Sequence, residues 1–341
     1  MLTAVRAAAF AVCAMVGAVS PAAAWDYPGH RIVGAIADIV LQQHYKTTYQ
    51  RVHALLDRTT PNGIEHRTLS QVAVFPDCAK DEEEFCGRRP TAEEIDYVLR
   101  NLVHKSFHYT NSPVGQATYL PGGVGTNDTD VVQMITYTVN QLRKKHPFKQ
   151  DVKLTDTEAL WLLTHLVGDI HQPLHVGQAY YDKTCTVLVN PNDPANKDAV
   201  STLGGNSIKF VPKPPAVPVV PGLHIYWDST TVARAMRADG YGEAEQAFAK
   251  MLAATTPTGW ELTDDPATWA ATWYAEMSPI AQQAYTRPGI AITGTLDPAT
   301  GCQWVVTLDD GYEKWAQDVA REQLRKAGFR LAALLVAIFP N

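Results

Sequence analysis

Three histidines and one aspartate lie close together in the segment HLVGDIHQPLH, residues 165 to 175. His165 and Asp169 are four positions apart, so both side chains project from one face of a helix. Pro173 cannot continue that helix, and His175 therefore follows a break that lets it turn back toward the same point. Imidazole and carboxylate groups that converge in this way are typical metal ligands. A helix end with satisfied core histidines is the alternative, and the density of ligand types favours the metal site.

A helix over residues 156–170 must position this segment. Thr155 and Glu158 have the spacing of a capping box, and WLL at 160–162 supplies a buried face. Periodicity predicts further helices at 30–45, 91–107, 128–145, 227–238, 242–254, 266–285 and 311–336. The stretch ITGTLDPATGCQWVVTL at 292–308 predicts a hairpin that turns at DPATG. We therefore expect a mainly α-helical fold, with a small β-hairpin and with long loops at 180–213 and in the proline-rich PKPPAVPVVPG.

The first 24 residues are typical of a secretory signal peptide. Arg6 precedes an apolar core at residues 7–19, and three alanines at 22–24 fit the cleavage pattern. Cleavage after Ala24 would leave Trp25 as the first residue of one catalytic domain, 25–341, with a formal net charge of −7 instead of −6. An uncleaved anchor is the alternative, but the apolar core is short for a membrane span. We expect a protein without a membrane anchor that is periplasmic or secreted, since the alanine-rich leader favours a bacterial source.

The cysteines fit an exported protein. Cys13 leaves with the leader, and an even number remains, namely Cys78, Cys86, Cys185 and Cys302. Three pairings are possible, of which we favour the short loop Cys78–Cys86 together with Cys185–Cys302. A thiolate metal site is disfavoured because the chain has no CxxC pair.

The new N-terminus adds candidate ligands in the sequence WDYPGH. The freed α-amine of Trp25 and its own carbonyl oxygen could chelate a metal in a five-membered ring, because that amine loses its proton easily beside a cation. Pro28-Gly29 would bend the chain and bring His30, at the start of a helix, to the same ion. Packing of a terminal tryptophan is the simpler alternative.

Four more candidate metal ligands lie outside the central motif and the new N-terminus. Asp77 ends an apolar stretch and precedes Cys78, and His108 follows in KSFHYTN. His224 and Asp228 in HIYWD again combine a histidine and a carboxylate four positions apart at the start of a helix. A helix cap for the aspartates and core packing for the histidines are the structural alternatives. The remaining histidines are assigned to packing or the surface, including His171, which lies on another face of its helix.

These motifs in this order resemble the zinc-dependent single-strand-specific nucleases of fungi, plants and bacteria, which share a superfamily with bacterial zinc phospholipase C. The resemblance covers Trp25 to Asp228 through WDYPGH, Asp77, HYTN, HLVGDIHQPLH, LGGN and HIYWD. It implies a helical fold of the phospholipase C and single-strand nuclease type. It also implies three Zn²⁺ ions held by nitrogen and oxygen ligands: Asp77, His108, His165 and Asp169 for the first, Trp25, His30 and the bridging Asp169 for the second, and His175, His224 and Asp228 for the third.

The resemblance also assigns catalytic roles. The two zinc ions bridged by Asp169 would activate the attacking water, and Asp77 would orient that water. The third zinc ion would stabilise the departing 3′ oxygen. Lys80 would stabilise charge on the phosphate, unless it is a solvated lysine beside DEEE at 81–84. The implied activity is hydrolysis of single-stranded DNA and RNA to 5′-phosphate products, together with action on 3′-phosphomononucleotides.

The substrate contacts implied by the family follow directly after His108. Tyr109 would stack on any base, and Asn111 would hydrogen-bond the base where the family often has aspartate, which puts base preference in question. Asn206 and Gly205, with Gly204, would let the backbone approach the base, although a plain turn explains them almost as well. The net charge of −7 lacks the basic stripe of a tight duplex binder, so single strands and nucleotides are the expected partners of a monomeric enzyme.

Two rival functions remain at this stage. A zinc phospholipase C uses nearly the same ligands, but the short spacing between Trp25 and His30 and the final ligand Asp228, instead of glutamate, favour the nuclease. A non-catalytic zinc-binding protein would saturate each ion with four protein ligands. Nine ligand residues for three ions leave coordination positions open, which favours catalysis.

Overall fold

A computed structural model describes residues 25–56, 66–80, 86, 88–211, 221–258 and 260–340. The predicted signal peptide lies outside these residues, as do most of the proline-rich loop and the acidic run at 81–84. The order of elements is mainly helical, as the sequence predicts.

The helices are distributed along the whole described chain. Those before the central motif are α1 (Tyr27–His44), α2 (Lys46–Leu56), α3 (Leu69–Val72), α4 (Phe75–Lys80), α5 (Ala92–Arg100) and α6 (Val131–Leu142). Those that follow are α7 (Asp156–Asp169), α8 (Pro173–Val176), α9 (Leu223–Ile225), α10 (Thr231–Ala238), α11 (Glu245–Ala253), α12 (Trp269–Thr286) and α13 (Asp310–Ile338). Shorter turns are the 3₁₀ segments His104–His108, Pro194–Asn196 and Pro266–Thr268, and the π turn Tyr226–Thr230.

Two small sheets complete the fold. Strands β1 (Tyr180–Tyr181) and β2 (Val200–Ser201) form an antiparallel ribbon. Strands β4 (Ile290–Asp297) and β5 (Gly301–Leu308) form the predicted hairpin, in which Ile290 pairs with Leu308. Strand β3 (Ile208–Phe210) adds to the outer side of β5 in parallel, with Ile208 opposite Trp304, which the sequence did not predict.

Several predicted boundaries need correction. The first helix begins at Tyr27, because Asp26 caps it and Pro28 occupies its first turn, where a missing N–H costs nothing. Pro28-Gly29 is therefore part of the helix and not a bend before it. The helix predicted at 91–107 is two elements, since α5 ends at Arg100 and the 3₁₀ turn starts at His104. Helices α2, α3 and α4 were not predicted.

The main core packs α1 and α7 against the C-terminal helix α13. Helices α1 and α13 approach each other closely, since a Cβ added to Gly328 of α13 would lie 2.4 Å from the side chain of Ile36 in α1. A second cluster of buried residues joins Trp227, Trp304 and Tyr312 near the hairpin. Together the two clusters enclose α7 and α8, so the central motif lies in the interior.

Both disulfides have the pairing favoured from the sequence. Cys78 joins Cys86, next to α4, and Cys185 joins Cys302, which ties the loop after β1 to the hairpin. The Trp304 indole donates to the carbonyl oxygen of Cys185, so this loop is held both covalently and by a hydrogen bond. Within the described residues, none of the helices has the length and apolar character that a membrane span needs.

Candidate metal centre

Three groups of buried histidine and aspartate side chains lie around the end of α7. In each group the potential ligand atoms are within 4.8 Å of one another. The groups are His30, His165 and Asp169; Asp77, His108 and His165; and His175, His224 and Asp228. The eight side chains among the predicted ligands thus converge on one region, although they come from five separate stretches of chain.

Asp169 lies between the groups. Its Oδ2 is 3.1 Å from Nε2 of His165 and 3.2 Å from Nδ1 of His108, whereas its Oδ1 is 3.4 Å from Nε2 of His30. The same Oδ1 is 3.7 Å from Nδ1 of His175. The carboxylate therefore directs one oxygen to each of two neighbouring groups, as the predicted bridging role requires.

Backbone carbonyl groups orient three of the histidines. Nδ1 of His165 contacts the carbonyl oxygen of Ala73, Nδ1 of His175 that of His108, and Nδ1 of His224 that of Gly204, each at 2.7 Å. In a neutral imidazole the proton then resides on Nδ1, and Nε2 presents a lone pair. This arrangement is how metal-binding histidines are usually held.

The lone pairs of two histidines face each other across the third group. Nε2 of His175 and Nε2 of His224 are 3.1 Å apart, and both rings hold their protons on the opposite side. Two lone pairs at this distance repel unless a cation lies between them. Asp228 completes the group, with Oδ2 3.4 Å from His224.

Several buried polar atoms of the three groups also lack a well-formed hydrogen bond among the described residues. They are both side-chain nitrogens of His30, Oδ2 of Asp77, Nε2 of His108, both carboxylate oxygens of Asp169 and Oδ2 of Asp228. Unpaired buried polar groups cost free energy, and a group of them around one point indicates a ligand that satisfies them together. The residues therefore fit metal ions.

Burial determines the direction of the pKa shift for four of these groups. It lowers the pKa of His108 and His224 to about 3 and that of His175 to about 4, so these imidazoles are neutral and can act as ligands. Burial also raises the pKa of Asp228 well above its usual range. A bound cation would supply the charge that keeps this carboxylate ionised.

The pKa of Asp169 lies well below the usual aspartate range, because its histidine neighbours, His165 first, outweigh burial. Asp77 also has a lowered pKa: burial raises it, but the Lys80 ammonium together with His165, His108 and His30 outweighs burial. Nζ of Lys80 is 3.3 Å from Oδ1 of Asp77, and the lysine is only 5% exposed. Lys80 is thus a buried cation beside the centre and not a solvated surface lysine.

Two residues between the ligands shape the site and were not identified from the sequence. Gly168 lies against the ring of His30, where a Cβ would be 2.8 Å from Nδ1, and that ring stacks on His165 with 3.7 Å between centroids. Gln172 caps α8 and donates from Nε2 to Oδ1 of Asp228 at 2.5 Å. Only the assembled tertiary structure indicates these roles, since a glycine and a glutamine have no ligand chemistry of their own.

Trp25 is fully buried beside α1, where its Cβ lies next to Gly29. The following residue connects it to the third group, because the N–H of Asp26 donates to the carbonyl oxygen of Asp228 at 3.1 Å and the Asp26 carboxylate accepts from Ser229. Trp25 therefore lies between His30 and Asp228. Its α-amine as a ligand stays a prediction.

The predicted substrate residues lie in loops beside the metal ligands. Asn111 has both main-chain groups occupied, its N–H by the carbonyl oxygen of Gly125 and its carbonyl oxygen by the Tyr180 hydroxyl, while its side chain is half-buried. Tyr109 is also half-buried. In the LGGN turn, Gly204 and Gly205 have φ of +62° and +86°, and the Asn206 amide donates to the carbonyl oxygen of Leu203.

His171 and Asp169 are two positions apart in the sequence but differ in role. His171 lies within the central motif but contacts the carbonyl oxygen of Val167 and the guanidinium of Arg330, away from the three groups. Its assignment to packing agrees with this position.

Comparison with known proteins agrees with the geometry. A family model described as S1/P1 Nuclease matches residues 25–340. The chain belongs to the S1/P1 nuclease family. Members of this family are zinc-dependent nucleases specific for single strands, so the chain is a hydrolase that acts on nucleic acid.

Three plant relatives of this S1/P1 nuclease are all from Arabidopsis thaliana. Endonuclease 4 is 23% identical over 95% of this chain and 92% of its own length, and Endonuclease 3 is 26% identical over 94% and 91%. Endonuclease 2 is 28% identical over 60% of this chain, and the alignment spans 59% of that protein, which is less than two thirds of its length. Similarity to Endonucleases 3 and 4 thus extends over almost the whole chain.

Proposed function

We propose that this S1/P1 nuclease holds three Zn²⁺ ions and hydrolyses single-stranded DNA and RNA to 5′-phosphate products, with 3′-nucleotidase activity as well. The facing Nε2 atoms of His175 and His224 carry the proposal, because two imidazoles that hold their protons on Nδ1 direct their Nε2 lone pairs toward each other, where both could bind one cation. The ligands would be the nine predicted from the sequence: Trp25, His30, Asp77, His108, His165, Asp169, His175, His224 and Asp228.

When bound, the zinc ions would supply Lewis acidity and a water of lowered pKa. The protein's own groups would do the rest. The Asp77 carboxylate would orient the attacking water, and Asp169 would set the spacing of two neighbouring sites. The Lys80 ammonium, buried and 3.3 Å from Asp77, would stabilise negative charge that develops on the phosphate.

Substrate selection would depend on the loops beside the centre. Tyr109 would stack on an unpaired base, and the side chain of Asn111 would hydrogen-bond the base edge, because its main chain is already fixed on both sides. The backbone of the LGGN turn, at Gly205 and Asn206, would also contact the base. A base within a duplex could not reach these groups without leaving its stack.

The test is hydrolysis of single-stranded DNA, RNA and a 3′-mononucleotide by the protein that begins at Trp25, with phosphatidylcholine as a parallel substrate. Each reaction is run with a chelator and again after zinc is added back. We expect zinc-dependent 5′-phosphate products and about three zinc ions per chain. Asp169→Asn should lose both activity and zinc, since both carboxylate oxygens serve ligand groups.

The other outcomes separate the alternatives. Lipid cleavage with inert nucleic acid would assign the centre to phospholipase chemistry and refute the proposal. Three bound zinc ions without any hydrolysis would favour a zinc-binding protein. We further propose that the protein is a monomer and is exported after cleavage at Ala24; the two disulfides support export. Mass spectrometry of the secreted or periplasmic protein would check the cleavage, and its elution volume would check the monomer.

A further inference from the structure

Gln178 is a buried residue that neither binds metal nor faces the substrate in the proposal above. It follows α8, is only 2% exposed, and runs alongside the chain after Asn111. Its N–H donates to the carbonyl oxygen of Ser112 at 2.8 Å, and its carbonyl oxygen accepts from Val114 at 3.0 Å. The main chain of Gln178 is therefore fixed, and its side chain is directed from a rigid position.

One end of this side chain reaches the third metal group. Its Oε1 accepts from the N–H of Gly204 at 2.9 Å, and the carbonyl oxygen of Gly204 accepts from Nδ1 of His224 at 2.7 Å. Gly204 can serve both neighbours because its φ is +62°, a conformation that other residues rarely adopt. A Cβ at this residue would lie 3.2 Å from Nδ1 of His224, so the approach is close.

The main chain of Gln178 reaches the substrate loop. It pairs with Ser112 and Val114, which follow Asn111 in the chain, and two residues further on the Tyr180 hydroxyl donates to the carbonyl oxygen of Asn111 at 3.1 Å. The segment 178–180 thus holds the loop at Asn111, and the Gln178 side chain joins this segment to Gly204 and His224.

We infer that Gln178 is a positioning residue that couples the third metal site to the substrate loop at Asn111. An amide suits this position because its oxygen accepts from the Gly204 N–H without adding a charge to the buried site, whereas an apolar side chain offers no acceptor. Substitution by methionine would leave the Gly204 N–H buried without its acceptor and let the His224 ring rotate. The inference rests on the proposed three-zinc centre and on Asn111 as a substrate contact.

The experiment compares three variants of the protein that begins at Trp25. Gln178→Met removes the side-chain link to Gly204, Tyr180→Phe removes the hydroxyl that contacts Asn111, and Gln141→Met is the control. The Gln141 side chain likewise hydrogen-bonds the backbone, here by donating to the carbonyl oxygen of Leu154, but it lies on α6 away from the centre. Zinc per chain is measured against a zinc-buffering chelator, with kcat and KM on a single-stranded oligonucleotide and the thermal unfolding temperature.

We expect Gln178→Met to bind the third zinc about 10- to 100-fold more weakly, the usual cost of losing a group that orients a metal ligand. Its KM should also rise. Tyr180→Phe should keep three zinc ions and a kcat near wild type but show a raised KM. The control should match wild type in all of these.

Wild-type zinc affinity and KM in a folded Gln178→Met would overturn the inference while leaving the proposed function intact. If Gln178→Met does not fold, Gln178→Glu decides, because it keeps an acceptor for the Gly204 N–H and should keep the third zinc. Loss of that zinc in Gln178→Glu, or an unchanged KM in Tyr180→Phe, would also refute the coupling. A wild-type chain with fewer than three zinc ions refutes the proposed function, and this inference with it.

Discussion

Gly168→Ala tests how closely the metal ligands are packed. The new Cβ would lie 2.8 Å from Nδ1 and 3.1 Å from Cε1 of His30. Atoms in van der Waals contact are about 3.5 Å apart, so the ring must retreat by about 0.7 Å. The ring already stacks on His165, with 3.7 Å between centroids and 14° between planes, so it has little room for this movement.

A metal site tolerates much less displacement than this, because ligand distances are held within about 0.2 Å. We expect Gly168→Ala to lose the second zinc and to cut kcat on single-stranded DNA about 100-fold, the effect of a misplacement of about 1 Å. Stability of the metal-free protein should change little, since alanine in a helix interior gains up to about 1 kcal/mol over glycine and offsets part of the clash.

The assay measures zinc per chain by elemental analysis, initial rates, and the thermal unfolding temperature. Gly311→Ala is the control, because Gly311 is an exposed glycine of α13 whose added Cβ would meet only the Asp309 side chain. Three zinc ions and wild-type rates in Gly168→Ala would refute the reasoning. A variant that loses zinc and activity, while its metal-free form unfolds at the same temperature as the metal-free wild type, would support it.

Three further predictions follow from the same centre. A chain extended by two residues before Trp25 should bind one zinc fewer than the chain that starts there, because its α-amine is then an amide; equal zinc content would remove Trp25 from the ligand set. In the metal-free protein, stability should fall as the pH drops from about 6.5 toward 4, because His175 and His224 have pKa values of about 4 and about 3 when folded and about 6.5 when unfolded, so the unfolded state binds more protons. Urea titrations should show this loss, and zinc should move it to lower pH; a flat profile contradicts it. Asn111→Asp should change the order of preference among homopolymer strands without loss of zinc, since a carboxylate cannot donate to a base; identical preferences would exclude Asn111 from base contact.

Ligand pairs within one local element were predictable from the sequence. His165 and Asp169 lie on one face of α7, and the capping box of Thr155 and Glu158 starts that helix as predicted. The break before Pro173 also holds, since α7 ends at Asp169 and α8 begins at the proline. Such features depend on spacings of three or four residues, which the sequence displays directly.

Contacts between distant segments were not predictable in the same way. The carbonyl oxygen of Ala73 orients His165, and Gly168 receives the ring of His30, yet neither partner shows any pattern in its own segment. The parallel pairing of β3 with β5 joins strands far apart in the chain, for which periodicity gives no register. The resemblance to the nuclease family supplied what spacing could not, namely which isolated residues, such as Asp77 and His108, belong to the same site.

The close packing of α1 against α13 has a consequence for how the enzyme folds. His30 is on α1, but the surface that holds α1 in place includes Gly328, near the end of the chain. Contacts between segments far apart in a chain form slowly, because a long loop must close before they gain any stabilisation. His30 should therefore be fixed in the metal centre late in folding, after α13 has packed against α1.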